Sequence, residues 1–252
     1  MKTFCLILCL FPVLFTIISS TNIDCTYQIY TFFVIGPTYY CKVSSNLNIT
    51  SPELAAIDSA SDNHTASKFN DDVFGFWAEN KTINFFPQNL DKIFKNLKLI
   101  VIMHGKINEI HQDDLKPFPQ LEYLNLHNNT IEVLEEGLFD FNPNLAFISF
   151  ANNKLYKIHP EVFDKLTKLS FLFLDANKCV DKLAKDDYKA LSKAIKEVKF
   201  KCLNDTITTT TSTTTEMSRT NQEKLMDETN SGSKFELGFF VILGLVLSVL
   251  NC

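Results

Sequence analysis

The chain has 252 residues with 24 basic and 29 acidic side chains, a formal net charge of −5. That balance argues against a general polyanion binder, and with it against nucleic acid as a partner. The N-terminus is organised for export. Lys2 supplies the positive end, residues 4–18 form an apolar run, and Ser19, Ser20 and Thr21 offer small residues for cleavage, so residues 1–20 are expected to be a secretory signal peptide. The run of about 15 residues falls short of the roughly 20 that a spanning helix needs.

Residues 21–72 are expected to form an N-terminal cap. Segments 27–35 and 38–43 are rich in aromatic and β-branched residues, and Gly36-Pro37 between them reads as a turn, predicting a β-hairpin. Such a hairpin would cover the exposed edge of whatever sheet follows.

From residue 73 to 178 a frame recurs every 24 residues, starting at Leu97, Leu121, Leu145 and Leu169. In the second frame Leu121, Leu124 and Leu126 precede Asn129 and Ile131; in the third, Leu145, Ile148 and Phe150 precede Asn153 and Leu155; in the fourth, Leu169, Leu172 and Leu174 precede Asn177. The alternation Ile148-Ser149-Phe150 and Leu172-Phe173-Leu174 has strand period with the apolar residues inward. An Asn three residues later can satisfy the backbone where the chain leaves the sheet. Leu134, Phe139, Ile158, Phe163 and Leu166 mark a return segment that tucks under the strands. No unit can bury its apolar face alone, so the units must stack. The first frame has Gly105 where Asn belongs, and an earlier, looser one over residues 73–96 has Lys81 there, giving about five units.

Residues 179–203 are expected to cap the other end, with Tyr188, Leu191, Ile195 and Val198 at the spacing of a short amphipathic helix. Residues 204–236 contain the low-complexity run 206–215, nearly all Thr, which reads as a stalk. Residues 237–252 are apolar with no Lys or Arg after them. This fits a glycosylphosphatidylinositol signal, with Asn230, Ser231 and Ser233 as attachment candidates, or else a short transmembrane tail.

Processing would leave Cys25, Cys41, Cys179 and Cys202. Stacked strands are about 4.8 Å apart, so five units separate the ends by roughly 20 Å, whereas a disulfide needs Cα atoms within about 7 Å. Cys25–Cys41 and Cys179–Cys202 are therefore the expected bridges. Sequons stand at Asn48, Asn63, Asn80, Asn128 and Asn204. Asn80 and Asn128 share one frame position, which would place two glycans on one rim and direct a large partner to the other.

The strand register lists three concave columns. The first is Gly75, Leu99, Tyr123, Phe147 and Phe171; the second is Trp77, Val101, Asn125, Ser149 and Phe173; the third is Glu79, Met103, His127, Ala151 and Asp175. From these, the candidate ligand-binding residues are Trp77, Leu99, Val101, Met103, Tyr123, Asn125, His127, Phe147, Ser149, Phe171 and Phe173. The columns are expected to lie open as an aromatic patch of the kind that marks binding. No catalytic motif is present among the histidines or serines, and no C-x-x-C pair suggests a metal. No cofactor, metal or catalytic residue is expected, and the chain reads as a non-enzyme.

The repeated pattern L-x-x-L-x-L-x-x-N-x-L resembles the leucine-rich repeat family, and the short extracellular members related to Toll-type ectodomains and to connectin and chaoptin in particular. The resemblance implies an α/β leucine-rich repeat solenoid with a parallel sheet on the concave face, an N-terminal disulfide hairpin cap and a C-terminal helical disulfide cap. It also implies a glycoprotein on the extracellular side of the plasma membrane, or a secreted one, that binds an extracellular protein ligand or receptor. Cell adhesion, innate-immune ligand capture and a surface-coat role are the functions it leaves open.

Overall fold

The computed structural model describes residues 21–202. The expected signal peptide, Thr-rich stalk and apolar tail, together with Asn204, Asn230, Ser231 and Ser233, lie outside the described residues. One eight-stranded sheet organises the described chain. Its strands are β1 (Cys25–Phe32), β2 (Gly36–Val43), β3 (Gly75–Glu79), β4 (Leu99–Met103), β5 (Tyr123–Asn125), β6 (Phe147–Ser149), β7 (Phe171–Phe173) and β8 (Leu183–Lys185). They lie side by side in chain order. From β2 to β7 every pairing is parallel, while β1 and β8 close the two ends antiparallel.

The 24-residue period sets the register directly. Leu99 faces Tyr123, Tyr123 faces Phe147, and Phe147 faces Phe171, with Gly75 opposite Leu99. The looser frame is thus a strand in step with the others. Strand alternation sends Phe76, Ile100, Leu124, Ile148 and Leu172 to the opposite face, where they are fully buried. Return segments cover that face with Phe94, Phe118, Leu134, Phe139, Ile158, Phe163 and Leu166, all buried. Asn142 ties two of these segments together, its Nδ2 donating to the carbonyls of Leu115 and Phe118 at 2.9 Å each.

The asparagines do what their position predicts. Asn153 donates from Nδ2 to the carbonyls of Leu126 at 2.9 Å and Phe150 at 3.0 Å, and its Oδ1 accepts the Ile131 amide at 3.0 Å. Asn129 and Asn177 repeat the arrangement one unit either side. Each side chain therefore stitches its own turn to the neighbouring unit, satisfying groups that the departing chain would otherwise leave orphaned. Gly105 departs from the pattern for a steric reason: a Cβ there would stand 2.8 Å from Oδ1 of Asn129.

A second ladder runs beside the first. Asn80, His104, Asn128, Asn152 and Ala176 all take left-handed backbone, with φ between 52° and 55°, a conformation asparagine tolerates better than most residues. Successive backbone bonds link the rim, from the Asn128 amide to Ala151 and from the Asn152 amide to Asp175, each 2.9 Å. The sequons at Asn80 and Asn128 occupy this rim.

Both bridges form as expected, Cys25–Cys41 with Cα atoms 5.0 Å apart and Cys179–Cys202 at 5.3 Å. At the C-terminal end α1 (Tyr188–Lys201) buries Leu191, Ala194 and Val198. Asp187 caps it, accepting the Lys189 amide at 2.8 Å. Tyr188, expected on the apolar face, is instead exposed at 83%, because the buried stripe runs through Ala194 rather than back to the first residue. At the other end the hairpin turn is not Gly36-Pro37. It spans residues 33–35, and Gly36, with φ of +76°, opens β2.

Candidate functional site

The hairpin does more than cover an edge. Pairing between β2 and β3 begins only at Tyr40 opposite Gly75, so the turn overhangs the start of the parallel strands. Phe32-Phe33-Val34-Ile35 make that turn wholly apolar, where polar turn formers would keep it in water. The tip lies instead on the concave face. Phe32 packs against Tyr40 at 6.0 Å, Trp77 at 6.2 Å and Tyr123 at 5.7 Å between ring centroids. Phe33 meets Phe147 edge-on at 6.0 Å and Phe171 at 4.8 Å. Beneath them Tyr123 and Phe147 stack at 3.9 Å, and Phe147 continues to Phe171 at 6.2 Å.

These contacts make a second apolar cluster, separate from the main core, from Phe32, Tyr40, Leu99, Val101, Tyr123 and Phe147, with Val34, Ile35, Trp77, Met103, Phe171 and Phe173 packed on it. Gly75 permits it. A Cβ at that position would meet Tyr40 Cβ at 2.7 Å and Leu99 Cδ2 at 3.1 Å, so glycine is what lets the hairpin lie across the first column.

The columns expected from the sequence are all on one face, but that face is not open. Leu99, Val101, Tyr123, Phe147 and Ser149 are buried, which corrects the expectation of an exposed aromatic patch. The physical reason is the apolar tip, which removes Phe32 and the rings of Tyr123 and Phe147 from water together. Trp77, Met103, Asn125, His127, Phe171 and Phe173 remain partly exposed around it. Along the hairpin Ile29, Tyr30 and Phe33 are 63%, 59% and 67% exposed. The accessible apolar surface is therefore built by the roof and the rim of the slot jointly. Sequence reading missed Phe32, Phe33, Val34, Ile35 and Tyr40 as part of this site. The available signal was four apolar residues at a turn.

Polar groups around the slot hold each other. Trp77 donates from Nε1 to Glu79 at 3.3 Å, and Asn125 Oδ1 accepts the His127 amide at 3.0 Å. Asn125 Nδ2 also reaches Met103 Sδ at 3.3 Å. Burial pushes the Tyr123 phenol up to about 12, and burial followed by the neighbouring Tyr30 raises Tyr40. At the far side Lys185 lies over the Phe173 ring, 5.7 Å from its centroid. The site is dry and apolar, suited to binding by shape and ring contact.

A cleft of about 640 Å³ lies elsewhere, beside Glu109, His111, Glu135 and Tyr156 on the return segments. His111 lies there between Glu109 at 3.6 Å and Glu135 at 3.5 Å, all half-exposed, an ordinary surface arrangement. Of the sequons, Asn48, Asn63 and Asn80 are exposed. Asn128 takes part in a side-chain ladder, meeting His104 Nδ1 through Nδ2 and accepting from Asn152 at 2.7 Å.

Residues 95–154 and 119–178 each match the model of the leucine rich repeat family. With the stacked strands, the asparagine ladder and the disulfide-bounded ends, this gives the described residues a leucine-rich repeat fold. Comparison with curated proteins by sequence finds no match. Among solved structures the chain is similar to the Toll–Spatzle complex of Drosophila, at 15% identity and a TM-score of 0.44, covering 56% of this chain and 17% of that one. It is also similar to the LRIM1/APL1C complex, at 17% identity and 0.42 over 63% of this chain and 32% of the other. The leucine-rich repeat domain of APL1B matches at 26% identity and 0.34, over 36% and 26%. The chain thus spans a third or less of the length of each.

Proposed function

We propose that this is an extracellular recognition protein that binds a protein partner on the roofed concave face. The observation that carries the reading is the exposed apolar surface formed where Phe33 of the hairpin meets Phe171 of β7, with Tyr30 against Phe32 and Phe173 against Phe147. Large exposed apolar patches on a folded chain mark interaction sites, and aromatic anchors supply much of the energy of such contacts. Trp77, Met103, Asn125 and His127 flank the patch and supply its polar rim. Two disulfides support an oxidising, extracellular setting.

In this reading residues 1–20 are a removed signal peptide and 21–72 the N-terminal cap. Residues 73–178 are the repeats, 179–203 the C-terminal cap, 204–236 a stalk, and 237–252 the membrane signal. Glycans on Asn80 and Asn128 would stand on the left-handed rim, at the ends of the strands away from the hairpin tip, leaving the tip side to the partner. Recognition at a cell surface, in adhesion or in ligand capture, is the role that follows.

The test is a binding screen of the cell-displayed protein against extracellular proteins, repeated with Phe171→Glu and Phe173→Glu. Both residues are accessible, so secretion should persist while partner binding falls at least tenfold. Unchanged binding in both variants would refute the site. Phosphatidylinositol-specific phospholipase should release the protein from cells; full retention would count against the lipid anchor.

A further inference from the structure

The roof is separable from the slot. Among the described residues, no hydrogen bond joins residues 29–37 to the sheet beyond their own hairpin. The first bond to the body runs from the Phe74 amide to the Tyr39 carbonyl at 2.8 Å. The tip keeps its polar groups within the hairpin, where Phe32 pairs with Gly36 and Thr31 with Pro37. It touches the concave face only through side chains. Lifting it would expose apolar surface without orphaning a buried donor or acceptor, which is the costly event in opening most packed contacts.

The base, by contrast, is fixed. Cys25–Cys41 ties the strands together, and Tyr40, Cys41 and Lys42 pair with β3. The overhanging segment can therefore swing on a held stem. One side of it is already in water, at Ile29, Tyr30 and Phe33, giving an incoming chain a foothold.

We propose that the hairpin tip is a resident, exchangeable ligand of the aromatic slot, and that the slot's external ligand is an apolar turn of a protein partner bearing two adjacent aromatic residues. The proposal rests on the reading above that the concave face is the recognition surface. The chemistry of the ligand is read from the occupant. Phe32 fills the position between Trp77 and Tyr123, and Phe33 the one between Phe147 and Phe171. An incoming segment must offer rings at both, in a turn that brings neighbouring side chains to one side as residues 33–35 do. It must be uncharged beside them because that part of the slot is lined by rings and aliphatic side chains. A charged residue there would lose its hydration without a partner.

The experiment uses the full chain with the slot emptied by Phe32→Ser together with Phe33→Ser, and as probe a fluorescein-labelled peptide with the sequence of residues 29–38. Fluorescence anisotropy should show saturable binding to the emptied protein at least tenfold tighter than to the unaltered one. Adding Phe171→Glu to the emptied protein should abolish it. A protein with the tip locked by Phe33→Cys and Phe171→Cys should not bind until reduced. Equal affinity of the emptied and unaltered proteins would overturn the proposal, as would binding indifferent to Phe171→Glu. If the double serine variant does not fold, Phe33→Ser alone serves, since that side chain is mostly exposed; it should bind more tightly than the unaltered protein, and no gain overturns the exchange. Partner binding lost in Phe171→Glu without any peptide gain would leave the recognition face standing and remove the exchange. Peptide gain with partner binding indifferent to Phe171→Glu would do the reverse.

Discussion

Phe33, in the turn of the N-terminal hairpin, meets Phe171 of β7 edge to face with ring centroids 4.8 Å apart. The first loop of the cap thus touches the last parallel strand of the sheet, across the strands that lie between. The cap and the concave face are one apolar unit. An extended apolar turn and a row of rings in register, each unfavourable in water, remove one another's exposure.

The two phenylalanines of the tip should behave oppositely when truncated. Phe32 is 6% exposed and contacts four rings, whereas Phe33 is 67% exposed. Phe32→Ala should cost about 3–5 kcal/mol, the range for a buried Phe. Phe33→Ala should cost about 1 kcal/mol, the worth of its ring pairs. Denaturant unfolding of both variants checks this, and similar losses would mean that the tip is not seated as described.

Alkali should loosen the slot through Tyr123. Its phenol is held up to about 12 by burial, against about 10 in the unfolded chain. A group with a raised folded pKa leaves stability intact below the unfolded value and drains it as pH rises through the folded one. Unfolding midpoints should therefore fall between about pH 10 and 12, and the fall should be shallower in Tyr123→Phe. The same slope in both proteins would show that Tyr123 is not the buried phenol responsible.

Much of this architecture can be read from sequence because repeat physics is local. Leu121, Leu124, Leu126 and Asn129 specify a strand and its exit turn within a few residues, and the constant interval then aligns neighbouring strands. That is why every column pair from Gly75 to Phe171 falls in register. The roof could not be read the same way, since its contacts are long-range and no period announces them. Gly36-Pro37 also misleads as a turn signal. Gly36 does use its left-handed freedom, but after the turn. Pro37, opposite Thr31 in the ladder, stands where a strand edge tolerates a missing amide hydrogen. Tyr188 shows the same limit on the helix: spacing alone cannot say where a buried stripe stops.

Gly105 should resist restoration of the repeat pattern. Its neighbour Asn129 already places Oδ1 where a Cβ would stand, at 2.8 Å, while accepting the Ile107 amide at 3.2 Å. Gly105→Ala is expected to destabilise by about 1–3 kcal/mol, typical of overpacking, and Gly105→Asn by no less. In an Asn129→Ala background the Gly105→Ala penalty should shrink by more than about 0.5 kcal/mol, the sign of coupled neighbours. Additive losses would place the clash elsewhere.

Asn153 gives the sharpest test of what holds the units together. Its side chain serves three carbonyls and one amide, those of Leu126, Phe150, Ala151 and Ile131, and it is 8% exposed. Removing it in Asn153→Ala leaves the Ile131 amide without its acceptor. It also takes one of two side-chain donors from the Leu126 and Phe150 carbonyls, which keep Asn129 and Asn177, for an expected loss of about 1–3 kcal/mol. Asn153→Leu should be no better, because restoring volume does not restore an acceptor for the Ile131 amide. Asn144 provides the contrast. It donates to the Pro119 carbonyl at 3.2 Å on an exposed part of the return segment, and its alanine variant should stay within about 0.5 kcal/mol. A leucine at 153 that recovered most of the stability would mean that the site needs bulk rather than hydrogen bonds. The ladder would then be packing with polar decoration, and the recurrence of Asn in the frame would need another cause.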